Sequence, residues 1–390
     1  MSCSRTLAIV GLAAALALPA AAQTTRPTRY IAFGDSITEG AGDDPSRAPL
    51  TGYPPRLEAL LVNAGINADV INQGLGGEAT PEALSRLTGA LAGTQDDDVL
   101  LLMEGTNDIS RGVPLEATRY NLNEMARRAE ARGLTVIHAT PLPRRPDARV
   151  DSNNILTLIL AQNVRDMAGR RGRDLVDIFE IFITRPNRFP ALYYTTTGDG
   201  VGHPNAAGYD LIAQSFFEVI TDVDRVSPVT GIMSPLPGAE RVPAATSIQM
   251  DVWDFGAGID VANTQMLVNG TPVAATVSGD QNRVQLAYQP PELLRGVVRV
   301  GLRSRDLALP TQNTVDREIA RFVINGTKFL KGDLNEDGRV DGADLVRLAV
   351  LFGARRGDNR FLPSVDLNRD DAIDGQDLAI LAADFGKTSF

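Results

Sequence analysis

The chain has 390 residues, enough for two or three domains, with 43% apolar and 22% charged residues and a formal net charge of -10. That composition suits folded globular domains and excludes a wholly disordered or collagen-like chain. An acidic chain without a basic run is also a poor match for nucleic acid or an anionic membrane surface. The one cysteine is Cys3 and the only histidines are His138 and His203, so no disulfide framework or thiol nucleophile can arise downstream of residue 3.

Residues 1–22 read as a secretory signal. Arg5 supplies the positive start, residues 7–18 the apolar stretch, and Ala20-Ala21-Ala22 a small-residue cleavage site. The stretch is too short to span a bilayer. The expectation is an exported protein, secreted or held at a cell surface, without membrane insertion.

From 28 to 223 short apolar runs alternate with helical ones. Strands are predicted at Tyr30–Phe33, Ala68–Ile71, Asp98–Met103, Leu134–Ala139 and Asp174–Ile178, and helices near 53–64, 80–92, 114–132, 153–171 and 205–220. Nearly continuous apolar strands separated by helices predict an α/β, doubly wound parallel sheet covered on both faces. Working loops in such sheets lie beyond the C-terminal strand ends.

From 226 to 327 prolines and glycines punctuate short alternating runs, at Ser247–Val252, Thr264–Val268, Val273–Val277, Arg283–Tyr288, Val297–Arg303 and Ile319–Ile324. About 100 residues of such strands predict a β-sandwich. The segment resembles bacterial immunoglobulin-like domains, and with Trp253 the single tryptophan, a spacer role is favoured over sugar binding.

Residues 331–388 hold an internal repeat. DLNEDGRVDGADLVRLAVLFG, from Asp333, aligns with DLNRDDAIDGQDLAILAADFG, from Asp366. Loop positions 1, 3, 5, 9 and 12 carry Asp333, Asn335, Asp337, Asp341 and Asp344 in the first copy. The second has Asp366, Asn368, Asp370, Asp374 and Asp377. A hard divalent cation needs six to eight oxygens, position 7 (Arg339, Ala372) giving a backbone carbonyl, and this is that spacing. Position 6 must turn sharply. Gly338 suits it, and Asp371 is tolerable there because Asp visits the left-handed region more readily than most residues. Leu345, Leu348 and Phe352 after the first loop match Leu378, Leu381 and Phe385 after the second.

A loop and exit helix repeated at a C-terminus resembles a dockerin. The resemblance implies two structural calcium ions in a small α-helical domain, and a cohesin partner on a scaffold or cell surface. The alternative is a calcium-stabilised cap with no partner. Positions 10 and 11 are Gly342-Ala343 and Gly375-Gln376, not the hydroxyl pairs of the best-known dockerins, so the cohesin type stays open.

The loops at the strand ends converge on one chemistry. Strand one runs into Gly34-Asp35-Ser36, strand two into Gly74-Leu75-Gly76-Gly77-Glu78, and strand three into Gly105-Thr106-Asn107-Asp108, while Asp199 and His203-Pro204 precede the last helix. GDS, GxND and D-to-HP in this order resemble the SGNH (GDSL-type) hydrolases, whose fold is the flavodoxin-like doubly wound sheet. The resemblance implies Ser36 as nucleophile, His203 as general base and Asp199 as the group orienting it. It also implies an oxyanion hole from the amides of Ser36 and Gly77 and the side chain of Asn107, with no catalytic cofactor. Serine hydroxyls need a neighbouring imidazole to become nucleophilic, and the tetrahedral oxyanion needs preplaced donors. His138 sits inside an apolar run and is expected in the core, which leaves His203 as the base.

The family usually separates the aspartate and histidine by two residues, and here three intervene, so Asp199 is the least secure member. Asp35 and Asp108 are expected to cap helices or brace loops. Glu39, Glu78 and Glu104 carry no assignable role. The runs Arg127–Arg132 and Arg144-Arg145 are expected on solvated faces.

Competing chemistries fit less well. Gly74–Ala79 satisfies G-x-G-x-x-A loosely but follows the second strand, against a nicotinamide site. There is no G-x-S-x-G elbow and no H-E-x-x-H motif. The resulting expectation is an esterase working through an acyl-serine, acting by association with the dockerin on acetylated or otherwise acylated carbohydrate. The alternatives are a lipolytic or aryl esterase, or a non-catalytic glycan-binding surface protein.

Overall fold

The computed structural model describes residues 26–388 apart from 49, 145–151, 186–190, 194–201, 326–329, 336, 357, 359 and 363. The expected signal segment, 1–22, lies outside the described residues.

The first unit runs β1 (Thr28–Gly34), α1 (Ser36–Glu39), α2 (Pro54–Asn63), β2 (Ala68–Gly74), α3 (Thr80–Ala90), β3 (Val99–Met103), α4 (Thr106–Arg111) and α5 (Leu115–Glu130). It continues with β4 (Thr135–Ala139), α6 (Ser152–Gly169), β5 (Leu175–Val176), α7 (Ile178–Ile183) and α8 (Ala206–Ile220). The five strands are all parallel, in the order β2-β1-β3-β4-β5. Successive strand side chains point to opposite faces, so each strand feeds two cores. Tyr30, Ala32, Leu101 and Met103 pack with Leu57, Leu61, Ile212 and Phe216 of α2 and α8. Ile31, Phe33, Leu100 and Leu102 pack with Leu87, Leu122, Met125 and Leu160 of α3, α5 and α6. The continuous apolar run in β3 is thus what a strand covered on both faces requires. In α5, Leu122, Met125, Ala126 and Ala129 form the buried helical stripe.

The second region comprises β6 (Val229–Ser234), β7 (Ile248–Trp253), β8 (Gln265–Val268), β9 (Thr271–Pro272), β10 (Thr276–Gly279), β11 (Arg283–Tyr288), β12 (Val297–Arg305) and β13 (Thr314–Val323). They form two antiparallel four-stranded sheets, β10-β11-β7-β6 and β13-β12-β8-β9, around a shared core that includes Val252, Met266, Leu286, Val300 and Phe322. Asn269 and Gly270, with φ of 50° and 78°, make the tight turn between β8 and β9. Two strand expectations need correction. Val273–Val277 is not one strand: β9 ends at Pro272, the Val273 amide makes a last bond to the Met266 carbonyl of β8, and β10 starts at Thr276. The Pro-flanked entry, read as turns, contains β6. That strand pairs with β7 across an irregularity between Thr230 and Met233, and the missing side chain at Gly231 makes room for the Trp253 ring. The two regions are joined by Arg165, 1% exposed, which pairs with Asp177 at 2.6 Å and donates to the Thr230 carbonyl at 2.9 Å.

The tail contains α9 (Gly342–Leu351) and α10 (Gly375–Asp384) over a small core of Val340, Leu348, Ala354, Val365, Ile373 and Leu381. Each loop clasps the other repeat. The Val340 amide donates to the Lys387 carbonyl at 3.0 Å, and the Ile373 amide to that of Ala354 at 2.9 Å. Neither repeat can close without its partner. Of the matched apolar pairs, only Leu348 and Leu381 are buried; Leu345, Phe352, Leu378 and Phe385 are exposed.

Candidate active site and calcium loops

Ser36 opens α1 at the C-terminal end of β1. Asp35 is the N-cap, its carboxylate accepting from the Ile37 amide at 2.9 Å. The strand ends must approach this turn closely. A Cβ at Gly34 would meet the Thr38 hydroxyl and the Met103 carbonyl, and one at Gly74 would meet the Glu39 backbone amide. Only glycine fits at these two positions. His203 arrives from the other end of the unit, just before α8. It is anchored by Asn205, which caps that helix through the Gly208 amide and donates to the Ala191 and Tyr193 carbonyls at 3.0 and 3.2 Å. Ser36 Oγ and His203 Nε2 lie 2.8 Å apart, across 167 positions of sequence. Both side chains are half-buried, so a solvent-borne substrate can reach them.

Gly77 lies in the turn after β2 with φ of 76°, in the left-handed region. Its neighbour Gly76 would place a Cβ 3.9 Å from that of Ser36. Asn107, on α4, is 8% exposed; its amide donates to the Glu78 carbonyl at 2.8 Å and makes a longer contact, 3.4 Å, with Asp35. Asp108 braces the same loop, accepting from the Thr80 amide at 2.8 Å and the Thr118 hydroxyl at 2.9 Å. Asp35 and Asp108 are therefore a cap and a brace. Asp199 lies outside the described residues. His138 is 1% exposed, and burial, with Arg173 and Arg171 nearby, lowers its pKa to about 3, so it stays neutral in the core.

The floor of the site is acidic and buried. Burial pushes Asp35 up to about 6; the Ile37 amide and His203 oppose the rise, and Asp108 and Glu78 add to it. Glu104, 2% exposed at the end of β3, is pushed well above the usual carboxylate range by burial and then by Asp35 and Glu78. Glu78 is held by Arg86, whose guanidinium also lies 4.2 Å from the centre of the Phe33 ring.

One expectation fails here. Arg144 is not on a solvated face but 4% exposed, donating to the Thr106 carbonyl at 3.1 Å and the Ser110 hydroxyl at 2.8 Å. It ties down the short helix that carries Asn107. Nothing in an Arg-Arg pair beside a proline distinguishes such a brace from a surface pair. The loop from Ala41 to Pro54, unreadable from sequence, is held by Asp43. That carboxylate binds Arg56 at 2.6 and 2.8 Å and accepts from the Gly52 amide at 2.9 Å.

The GDSL-like lipase/acylhydrolase family model matches residues 32–211, the span that carries every one of these strand-end loops. Residues 32–211 are a GDSL-like hydrolase domain. Esterase TesA of Pseudomonas aeruginosa is 31% identical to the chain over 127 residues, which is 32% of this chain and 60% of that protein. The acetylxylan esterase Axe2 of Geobacillus stearothermophilus aligns over 50% of this chain and 94% of its own, with 22% identity and a TM-score of 0.42. A lipolytic protein of the G-D-S-L family from Veillonella parvula DSM 2008 aligns over 50% and 98%, with 24% identity and a TM-score of 0.41. The dockerin type I model matches residues 331–385, and that tail is a dockerin domain. Among the described residues no helix is long and apolar enough to cross a membrane.

The dockerin loops fit a hard cation. Asp333 accepts from the Asp337 and Gly338 amides at 3.1 and 2.9 Å, and Asp366 from the Asp370 and Asp371 amides at 3.2 and 3.0 Å. These bonds curl each loop around its own carboxylates. Gly338 and Asp371 both turn through positive φ, 85° and 67°. Asp341 and Asp374 cap α9 and α10, while Asp344 and Asp377 are buried at the loop floor. Asn335 and Asp337, like Asn368 and Asp370, lie side by side at 2.9 and 2.7 Å. Donor sets made only of oxygen suit calcium.

Proposed function

We propose that the chain is an exported serine esterase delivered to its substrate by its dockerin. The observation that carries this reading is the 2.8 Å approach of Ser36 Oγ to His203 Nε2. The serine hydroxyl donates to Nε2 and attacks the ester carbonyl as the imidazole takes its proton. The same proton then passes to the leaving alcohol, and water repeats the cycle to release the acid. By its place in the motif, Asp199 is assigned the role of orienting the imidazole. The oxyanion receives the amides of Ser36 and Gly77 and one N–H of Asn107. That amide group has two N–H bonds: the Glu78 carbonyl takes one, and the other, whose contact with Asp35 is long at 3.4 Å, is the one left to serve the oxyanion. No step calls for a metal.

The dockerin binds two calcium ions through Asp333, Asn335, Asp337, Arg339 (carbonyl), Asp341 and Asp344, and through Asp366, Asn368, Asp370, Ala372 (carbonyl), Asp374 and Asp377. Calcium closes the loops and thereby sets the exposed side chains of α9 and α10 for a cohesin. The sandwich, 226–327, serves as a spacer between catalyst and anchor. An enzyme carried to a scaffold in this way acts on the polymer beside it, which favours an acetylated polysaccharide over a lipid.

Ser36→Ala tests the reading directly. Turnover of p-nitrophenyl acetate and release of acetate from acetylated xylan should both fall by at least about 10⁴-fold, with circular dichroism unchanged. Retained turnover sinks the esterase. Glycan binding without turnover in the native chain would favour the non-catalytic surface protein.

A further inference from the structure

Three carboxylates from three separate elements meet where the hydrolase domain gives way to the sandwich. Asp224 lies in the link after α8, Asp254 just beyond β7 of one sheet, and Asp306 just beyond β12 of the other. One oxygen of each lies within 4.8 Å of the others. Asp254 is 8% exposed and Asp306 fully buried. Among the described residues none of the three forms an ion pair with an Arg or Lys side chain. Arg225, which shares the adjoining cavity of about 390 Å³, is paired with Glu218 instead.

Three like charges brought together out of water repel one another, and a fold keeps them only with compensation. Backbone amides supply part of it. Asp254 Oδ1 accepts from the Gly256 and Gly258 amides at 3.0 and 2.7 Å, Asp224 from those of Val226 and Ala257, and Asp306 from Ala308 and Asn313. Asp254 Oδ2 is left buried with no hydrogen-bond partner at all. A buried carboxylate oxygen without a partner, on a residue grouped with two further carboxylates, is what a hard cation would compensate.

We propose that Asp224, Asp254 and Asp306 bind a calcium ion, separate from the dockerin ions, that staples the hydrolase domain to both sheets of the sandwich. Oxygen donors alone select calcium over softer metals. The backbone is already shaped for it. Gly256 sits so close to Asp224 that any side chain there would collide with the carboxylate. The ion would join the exit of α8 to the ends of β7 and β12, and so hold the catalytic face in one orientation relative to the tail.

Trp253 permits a test on the full-length chain. It is the single tryptophan, it adjoins Asp254, and it lines the same cavity, whereas residues 331–388 contain neither Trp nor Tyr. Terbium titrated into the calcium-free chain and excited at the red edge of tryptophan absorption should give saturable emission that calcium displaces. Asp254→Asn should abolish that emission. Asp224→Asn, in the link and outside the strands, should weaken terbium binding by about tenfold or more. The double variant Asp333→Asn with Asp366→Asn should keep the emission. Absence of sensitised emission from the native chain, or emission that calcium cannot displace, overturns the proposal. So does emission unchanged in Asp224→Asn, whether or not Asp254→Asn folds.

Discussion

Ser36 and His203 meet across 167 positions, whereas each dockerin loop gathers its oxygens within one stretch, Asp333–Asp344 or Asp366–Asp377. The hydrolase site exists only after a five-stranded sheet has formed and brought its strand ends to one edge. The loops need only each other and a small core: their side chains hydrogen-bond their own amides, and seven apolar residues are buried beneath them among the described residues. What the loops lack is charge balance. The hydrolase domain has two apolar cores, and on the reading proposed above the tail takes up calcium to become rigid. A site built by topology should therefore be indifferent to metal, and a site built by local sequence should depend on it.

The sharpest way to break that contrast is Ser36→Ala, which should remove turnover by the four or more orders of magnitude stated above and leave the calcium-dependent transition of the tail untouched. Chelation is the converse. With EDTA, NMR signals of residues 331–388 should lose their dispersion while those of β1–β5 persist. Calcium should restore the tail, and retained dispersion without calcium would show that apolar packing alone carries it.

How far each region could be read without coordinates follows the same division. The repeat was visible in full, down to the left-handed turn at Asp371, because calcium geometry constrains consecutive residues. The parallel strands and their flanking helices were visible because burial on both faces writes long apolar runs into β1, β3 and β4. The strand-end motifs that contain Ser36, Gly77, Asn107 and His203 stand out in the sequence, but only the fold puts serine and histidine within hydrogen-bonding distance. Three things were hidden, each for a physical reason. Strand β6 owes its existence to pairing with β7, and the flanking Pro228 and Pro235 with its own Gly231 argue for turns. Arg144 looks like any surface arginine until its guanidinium is seen under α4. Asp224, Asp254 and Asp306 lie apart in sequence and follow no ligand spacing, so nothing short of the tertiary structure assembles them.

Arg144 offers a finer test of how topology positions chemistry. Its guanidinium donates to the Thr106 carbonyl and the Ser110 hydroxyl on the helix that carries Asn107. Arg144→Ala should let that helix shift by a fraction of an ångström, and misplacement of an oxyanion donor is felt in the transition state more than in substrate binding. The expected outcome is a fall in kcat of about tenfold, with KM within about twofold. A change confined to KM would mean that Arg144 shapes the substrate cleft, and an unaltered kcat would mean that α4 is rigid without it.

A pH-dependent test concerns the acidic floor. Asp35 is pushed up to about 6 from an ordinary value of 3.8, chiefly by burial. Its folded-state pKa therefore lies above its unfolded one, so the native state holds the proton more tightly. Below about pH 4 both states are protonated and this contribution to stability is whole; as pH rises towards about 6 the unfolded state ionises first and the contribution is lost. The loss is up to about 3 kcal/mol for such a shift. Asp35→Asn keeps the side-chain shape and the cap acceptor but cannot ionise. The Tm difference between variant and native chain should therefore move in the variant's favour between about pH 4 and pH 6, then level off. The dockerin should not share in that movement, since Asp35 lies in the hydrolase domain. A Tm difference that stays constant across this window would mean that Asp35 is ionised in the native site throughout, with the nearby imidazole of His203 outweighing the cost of burial.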